Sequence, residues 1–106
     1  MAGQEPAGAV DFGYLEGFAA GDRQVVADVL KLFLQQAEIW AGSLDAANAG
    51  WPDVAHTIKG AARGVGAHAL GDRCAQAEAG GADGLPAVRT ALAAAVADIQ
   101  AYLGRT

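Results

Sequence analysis

The sequence predicts an all-α fold, an antiparallel up-down-up-down four-helix bundle with a short extra N-terminal helix. Three observations lead there. Alanine, the strongest helix former, makes up about a quarter of the 106 residues, and proline and β-branched residues are sparse. Apolar residues recur at steps of three and four. Glycine and proline fall between the periodic segments, leaving short connections that favour antiparallel neighbours.

Taken in order, residues 1–8 read as a flexible lead and 9–106 as one helical domain. Val10, Phe12, Leu15 and Phe18 suggest a short first helix ended near Gly21. Asp22 suits the N-cap of the next. There Val26, Leu30, Phe33, Ala37, Trp40 and Leu44 form a bundle-facing stripe. This helix is expected to run to Asn48 or Ala49, bent at Gly42-Ser43, with Gly50 as its stop. Pro52 suits the first turn of a helix continuing to Val65, where Gly66 provides a C-cap. A further helix, about residues 69–79, buries Leu70, Cys74 and Ala77. Gly80 to Gly84 reads as the loosest segment. Pro86 opens the last helix, striped by Leu85, Val88, Leu92, Ala95, Ile99 and Leu103.

Charge and composition narrow the function. A net charge of −5 argues against nucleic acid as the main partner, because phosphate backbones demand a basic footprint. The longest apolar run, Ala91 to Ala97, is far shorter than the ~20 residues that cross a bilayer, so no membrane partner is expected. The N-terminus lacks the basic start and apolar core of a signal peptide, and a single cysteine forms no internal disulfide. A cytoplasmic location is the expectation.

The chemistry concentrates between Ala55 and Gly66. At about 100° per residue, Val54, Ile58, Ala61 and Val65 share a sector roughly 60° wide. His56, Lys59, Gly60 and Arg63 cluster on the opposite side. Gly60 and Gly64 each cost about 1 kcal/mol relative to alanine inside a helix, a cost without purpose unless something large approaches beside the imidazole. Close packing of another helix at Gly60 is the structural alternative. Lys59 neighbours His56 at a spacing of three. Its charge disfavours protonation of the imidazole and keeps a lone pair available for attack. Once the ring carries a phosphoryl group, the ammonium can pair with its oxygens, and Arg63 can join from the next turn. Solvated surface charge is the alternative for both. His56, His68 and Cys74 match no common zinc spacing, and Cys74 reads as inert core. Asp53, the nearest carboxylate in sequence, suits a helix cap instead of a catalytic cluster.

The run Ala55-His56-Thr57-Ile58-Lys59-Gly60-Ala61-Ala62, closing with Val65-Gly66-Ala67, resembles the histidine-containing phosphotransfer (HPt) family of two-component phosphorelays. Downstream, Leu70, Cys74 and Glu78 stand at matching positions, and upstream Leu30, Phe33, Leu34 and Leu44 match its apolar helix. The likeness spans about residues 10–103. It implies that His56 is the phosphorylated residue, at Nε2, that Lys59 stabilises the phosphoryl oxygens, and that Gly60 lets a partner close in. Thr57 and Gly64 border the same approach, although Gly64 replaces a polar residue common in the family. Arg63 occupies a variable position.

The implied function is relay of a phosphoryl group between receiver-domain aspartates of a hybrid histidine kinase and a response regulator. On that reading the chain is a phosphocarrier rather than an enzyme. It needs no cofactor of its own, since Mg2+ belongs to the partner receiver. A freestanding monomer is expected. The alternatives are a helical interaction module that binds partners without carrying phosphate, and one domain of a larger sensor kinase. Val25, Val29, Leu32 and Ile39 widen the apolar surface of the second helix. Part of that surface is expected under the N-terminal helix through Phe12, Leu15 and Phe18, and the part nearest His56 is expected to dock a receiver.

Overall fold

The computed structural model describes residues 9–105, so the lead over residues 1–8 lies outside the described residues. Among the described residues five α-helices are formed: α1 (Phe12–Phe18), α2 (Arg23–Ser43), α3 (Trp51–Val65), α4 (His68–Gly80) and α5 (Leu85–Arg105), with a 3-10 turn at Ala82–Gly84. Helices α2 to α5 form a ring in which each packs on the next and α5 returns to α2. The α3–α4 contact is the most extensive.

The helix ends follow from local chemistry. Asp22 accepts hydrogen bonds from the Gln24 and Val25 amides and so caps α2. Gly66 ends α3 with φ +88°, a conformation that L side chains rarely adopt. A Cβ there would also lie 2.6 Å from the Asp11 carbonyl oxygen. The Asp11 amide donates to the Gly66 carbonyl at 2.9 Å, which ties the start of α1 to the α3–α4 connection.

Two expected boundaries shift. Helix α2 ends at Ser43, not near Asn48. Asn48 folds back instead, its Nδ2 donating to the Ser43 carbonyl and its Oδ1 accepting from the Gly50 amide. Arg89 of α5 donates to the Leu44 carbonyl, so both groups compete with helix continuation. The Gly80–Gly84 segment is tighter than expected. Its 3-10 turn packs so closely that a Cβ on Gly84 would lie 3.1 Å from the Ala77 Cα.

The core matches the periodic stripes of α2 and α5: Val26, Leu30, Phe33, Ala37, Trp40 and Leu44 face Leu85, Val88, Leu92, Ala95 and Ile99. Leu103 is partly buried at the end of that stripe. The small helix departs from expectation. Leu15 is buried and Phe12 stacks on Tyr102 with ring centroids 4.2 Å apart, so α1 leans on α5. Tyr102 donates to Glu16, and the Val10 amide donates to Asp98. Phe18 is 81% exposed, and Val25, Val29, Leu32 and Ile39 all remain at the surface. Although α1 touches α2 and α3, the expected cover of that α2 surface by Phe12, Leu15 and Phe18 is therefore absent.

Candidate functional site

Helix α3 buries Ala55, Ile58, Ala62 and Val65. The stripe expected from sequence used Val54 and Ala61, which are only partly buried. The buried direction is thus rotated by roughly 50°, half a residue step, toward Ala55 and Ala62. Packing against α4 sets this rotation, and it moves Lys59 from the open face to the edge of the α3–α4 seam.

Two contacts define that seam. The His56 Nδ1 lies 3.1 Å from Glu78 Oε2, and the Arg63 side chain lies over Gly71, where a Cβ would meet Arg63 Cγ at 3.2 Å. Seven residues forward on α3 correspond to seven backward on α4, so the pair is an antiparallel hairpin. His56 is 71% exposed, whereas Lys59 and Glu78 are 21% and 24% exposed. Lys59 Nζ stands 2.5 Å from Glu78 Oε1. That oxygen is buried against the ammonium, which compensates its charge. The Lys59 contact, more than the His56 contact, holds the Glu78 carboxyl below the ordinary carboxylate range, against the opposing effect of partial burial.

An ionised carboxylate can only accept, so the His56–Glu78 contact places the imidazole hydrogen on Nδ1. In the neutral ring Nε2 then keeps its lone pair, and it has no protein partner among the described residues. The expected effect of Lys59 is modified accordingly. Its charge is paired with Glu78 instead of standing bare beside the ring.

The remaining expected residues divide clearly. A Cβ on Gly60 or on Gly64 would meet nothing within 4 Å, so no helix packs there and the space beside His56 is open. Thr57 is exposed next to it. Arg63 is exposed and has no ion pair with a carboxylate among the described residues. Asp53 sits in the first turn of α3, but no side chain caps that helix. Cys74 lies fully buried beneath the seam, and burial raises its thiol pKa to about 11, which fits inert core. His68 is elsewhere, edge-on to Tyr14 and 3.9 Å from Asp11. Among the described residues no group of three or more His, Cys, Asp or Glu is placed to hold a metal ion.

The Hpt domain profile matches residues 28–102, most of the chain. This chain belongs to the Hpt domain family. The crystal structure of the histidine phosphotransferase ShpA from Caulobacter crescentus is 58% identical, with a TM-score of 0.85, over 92% of this chain and 93% of that one. No curated protein sequence matches significantly. The Hpt match begins within α2 and ends near the close of α5, so α1 lies outside it. Glu78 is the residue whose contact with His56 sequence reading missed. It was visible as a matching position, but its contact with His56 spans 22 residues and two helices.

Proposed function

We propose that this Hpt chain carries phosphoryl groups between receiver-domain aspartates of a hybrid histidine kinase and a response regulator, with His56 as the intermediate. One observation carries the reading: an exposed imidazole with Nε2 facing open space, held from behind through Nδ1 and bordered by two vacant glycine positions. In the forward step the Nε2 lone pair attacks phosphorus while the P–O bond of the aspartyl phosphate breaks. The electron pair leaves with the donor carboxylate, and the reverse step regenerates an aspartyl phosphate on the acceptor. Lys59 and Arg63 counter the phosphoryl charge. Gly60, Gly64 and Thr57 form the approach.

The acidic cluster and Mg2+ that activate the aspartyl phosphate belong to the receiver on this reading, and the chain works as a cytoplasmic monomer. No described helix is long and apolar enough to cross a membrane. The docking surface is the stripe Val25, Val29, Leu32 and Ile39, which occupies one face of α2. The α2–α5 groove is lined by Leu34, Ala37, Glu38 and Ala41, on the far side of the buried stripe. The exposed stripe therefore borders α3, and Ile39 lies nearest the level of His56 by register.

The test is incubation with phosphorylated receiver domains, following label onto the wild type and onto His56→Ala. Acid-labile, base-stable label on the wild type alone is the expected result. Equal labelling of the variant would move the chemistry off His56. Absence of label across a broad receiver panel would favour an interaction module.

A further inference from the structure

Where α2 begins and α5 closes, these two helices and α1 enclose a cleft of about 690 Å3. It stands apart from His56. Arg23 in its lining precedes Ile39, the residue level with His56, by roughly 24 Å of helix. Val26, Ala27 and Leu103 give the cleft an apolar side, and Arg23 of α2 and Arg105 of α5 supply two guanidinium groups. Neither arginine has an ion pair or a side-chain hydrogen bond among the described residues. The carboxylate in the lining, Glu16 of α1, is engaged elsewhere, accepting from the Tyr102 hydroxyl at 2.6 Å. That contact is the main cause that raises the Tyr102 phenol above its ordinary range, and the charges of Arg23 and Arg105 oppose it. Both guanidinium groups therefore act on one phenol, which places them around the same space.

We propose that this cleft binds a small phosphate monoester, its phosphate held between Arg23 and Arg105 and its organic part against Val26, Ala27 and Leu103. The charges favour an anion. Two cations against one carboxylate leave the cleft positive in a chain whose net charge is −5. Arg23 also occupies the first turn of α2, at the positive end of the helix dipole, where a cation is disfavoured. The nearby Asp22 carboxylate is already committed to the Gln24 and Val25 amides. An arriving anion relieves that arrangement. Phosphate fits it better than a carboxylate does, because one guanidinium fork already uses both oxygens of a carboxylate. A phosphate monoester offers three oxygens and up to two charges, enough for two forks from two helices. Size calls for the organic part, since the cleft lies within the ~300–1,000 Å3 typical of sites for small organic ligands. The apolar side gives that part a surface to cover.

The test titrates phenyl phosphate into the 15N-labelled full chain and follows backbone amide shifts, with inorganic phosphate and benzoate as comparisons. Saturable shifts at Arg23, Gln24, Ala27 and Leu103 are expected, equally in wild type and in His56→Ala, and weaker as salt is added. Arg23→Gln and Arg105→Gln should each weaken binding by roughly tenfold or more, the loss of a charge-assisted contact, while the rest of the spectrum stays in place. Inorganic phosphate and benzoate should each bind roughly tenfold more weakly than phenyl phosphate. Absence of saturable shifts at the cleft up to ~10 mM overturns the site. So do shifts that centre on α3 and vanish in His56→Ala, which would assign the ligand to the α3–α4 seam. Affinity unchanged in both arginine variants overturns the guanidinium clamp. Benzoate binding as tightly overturns the choice of phosphate, and inorganic phosphate binding as tightly overturns the organic part.

Discussion

Gly60 and Gly64 give up helix stability on the exposed side of α3, where neither position is crowded. Alanine at either site is therefore expected to stabilise the fold by about 0.5–1 kcal/mol, read from urea unfolding. Gly60→Ala should at the same time slow transfer from a phosphorylated receiver; an unimpaired rate would mean that no partner surface enters that space. Glu78 carries a pH signature. Its carboxyl is held below the ordinary range in the folded state, chiefly by Lys59, so its contribution to stability is present above the unfolded value of 4.5. That contribution disappears as pH falls through the lower folded value. The difference in thermal midpoint between wild type and Glu78→Gln should be constant near neutral pH and shrink below 4.5. A difference that persists unchanged into strong acid would show that the ion pair is not its source.

At the scale of single helices, much was legible in the sequence because each helix buries one stripe. The α2 stripe was read residue for residue and the α5 stripe in all but Leu103, which is only partly buried, and Asp22 and Gly66 marked a start and a stop. What escaped came from contacts between helices. The turn of α3 toward Ala55 and Ala62 is set by α4, and a lone amphipathic segment leaves its face uncertain by half a residue step. The early end of α2 depends on Arg89, distant in sequence, as well as on Asn48. His56, Lys59 and Gly60 were visible at spacings of three and four. Glu78 entered their circle only when two helices met. Gly66 links element to element: Gly66→Ala combines a positive φ with a 2.6 Å approach to Asp11. It should destabilise by about 1–3 kcal/mol in chemical denaturation. A neutral result would show that α1 detaches from that corner at little cost.

For the molecule as a whole, an acidic chain presents a local cation at Arg63, beside the paired Lys59 and Glu78, and an apolar stripe on the adjoining helix. Surfaces of this kind dock by apolar contact and are steered by the charges at the rim. Lys31 is an exposed cation on the same helix. Lys31→Glu is expected to slow transfer with a receiver, most at low salt, while leaving labelling by phosphoramidate unchanged. Equal loss with both donors would place the effect in the chain itself. The two-residue connection Gly66-Ala67 has a further consequence, for the order in which the structure is assembled. Because it joins α3 directly to α4, His56, Lys59 and Glu78 come together across a short span of chain, with little loop entropy to overcome. Amide hydrogen exchange should accordingly find the α3–α4 hairpin among the last segments to open and α1 among the first. His56 would then stand on the part of the molecule that forms early and unravels late.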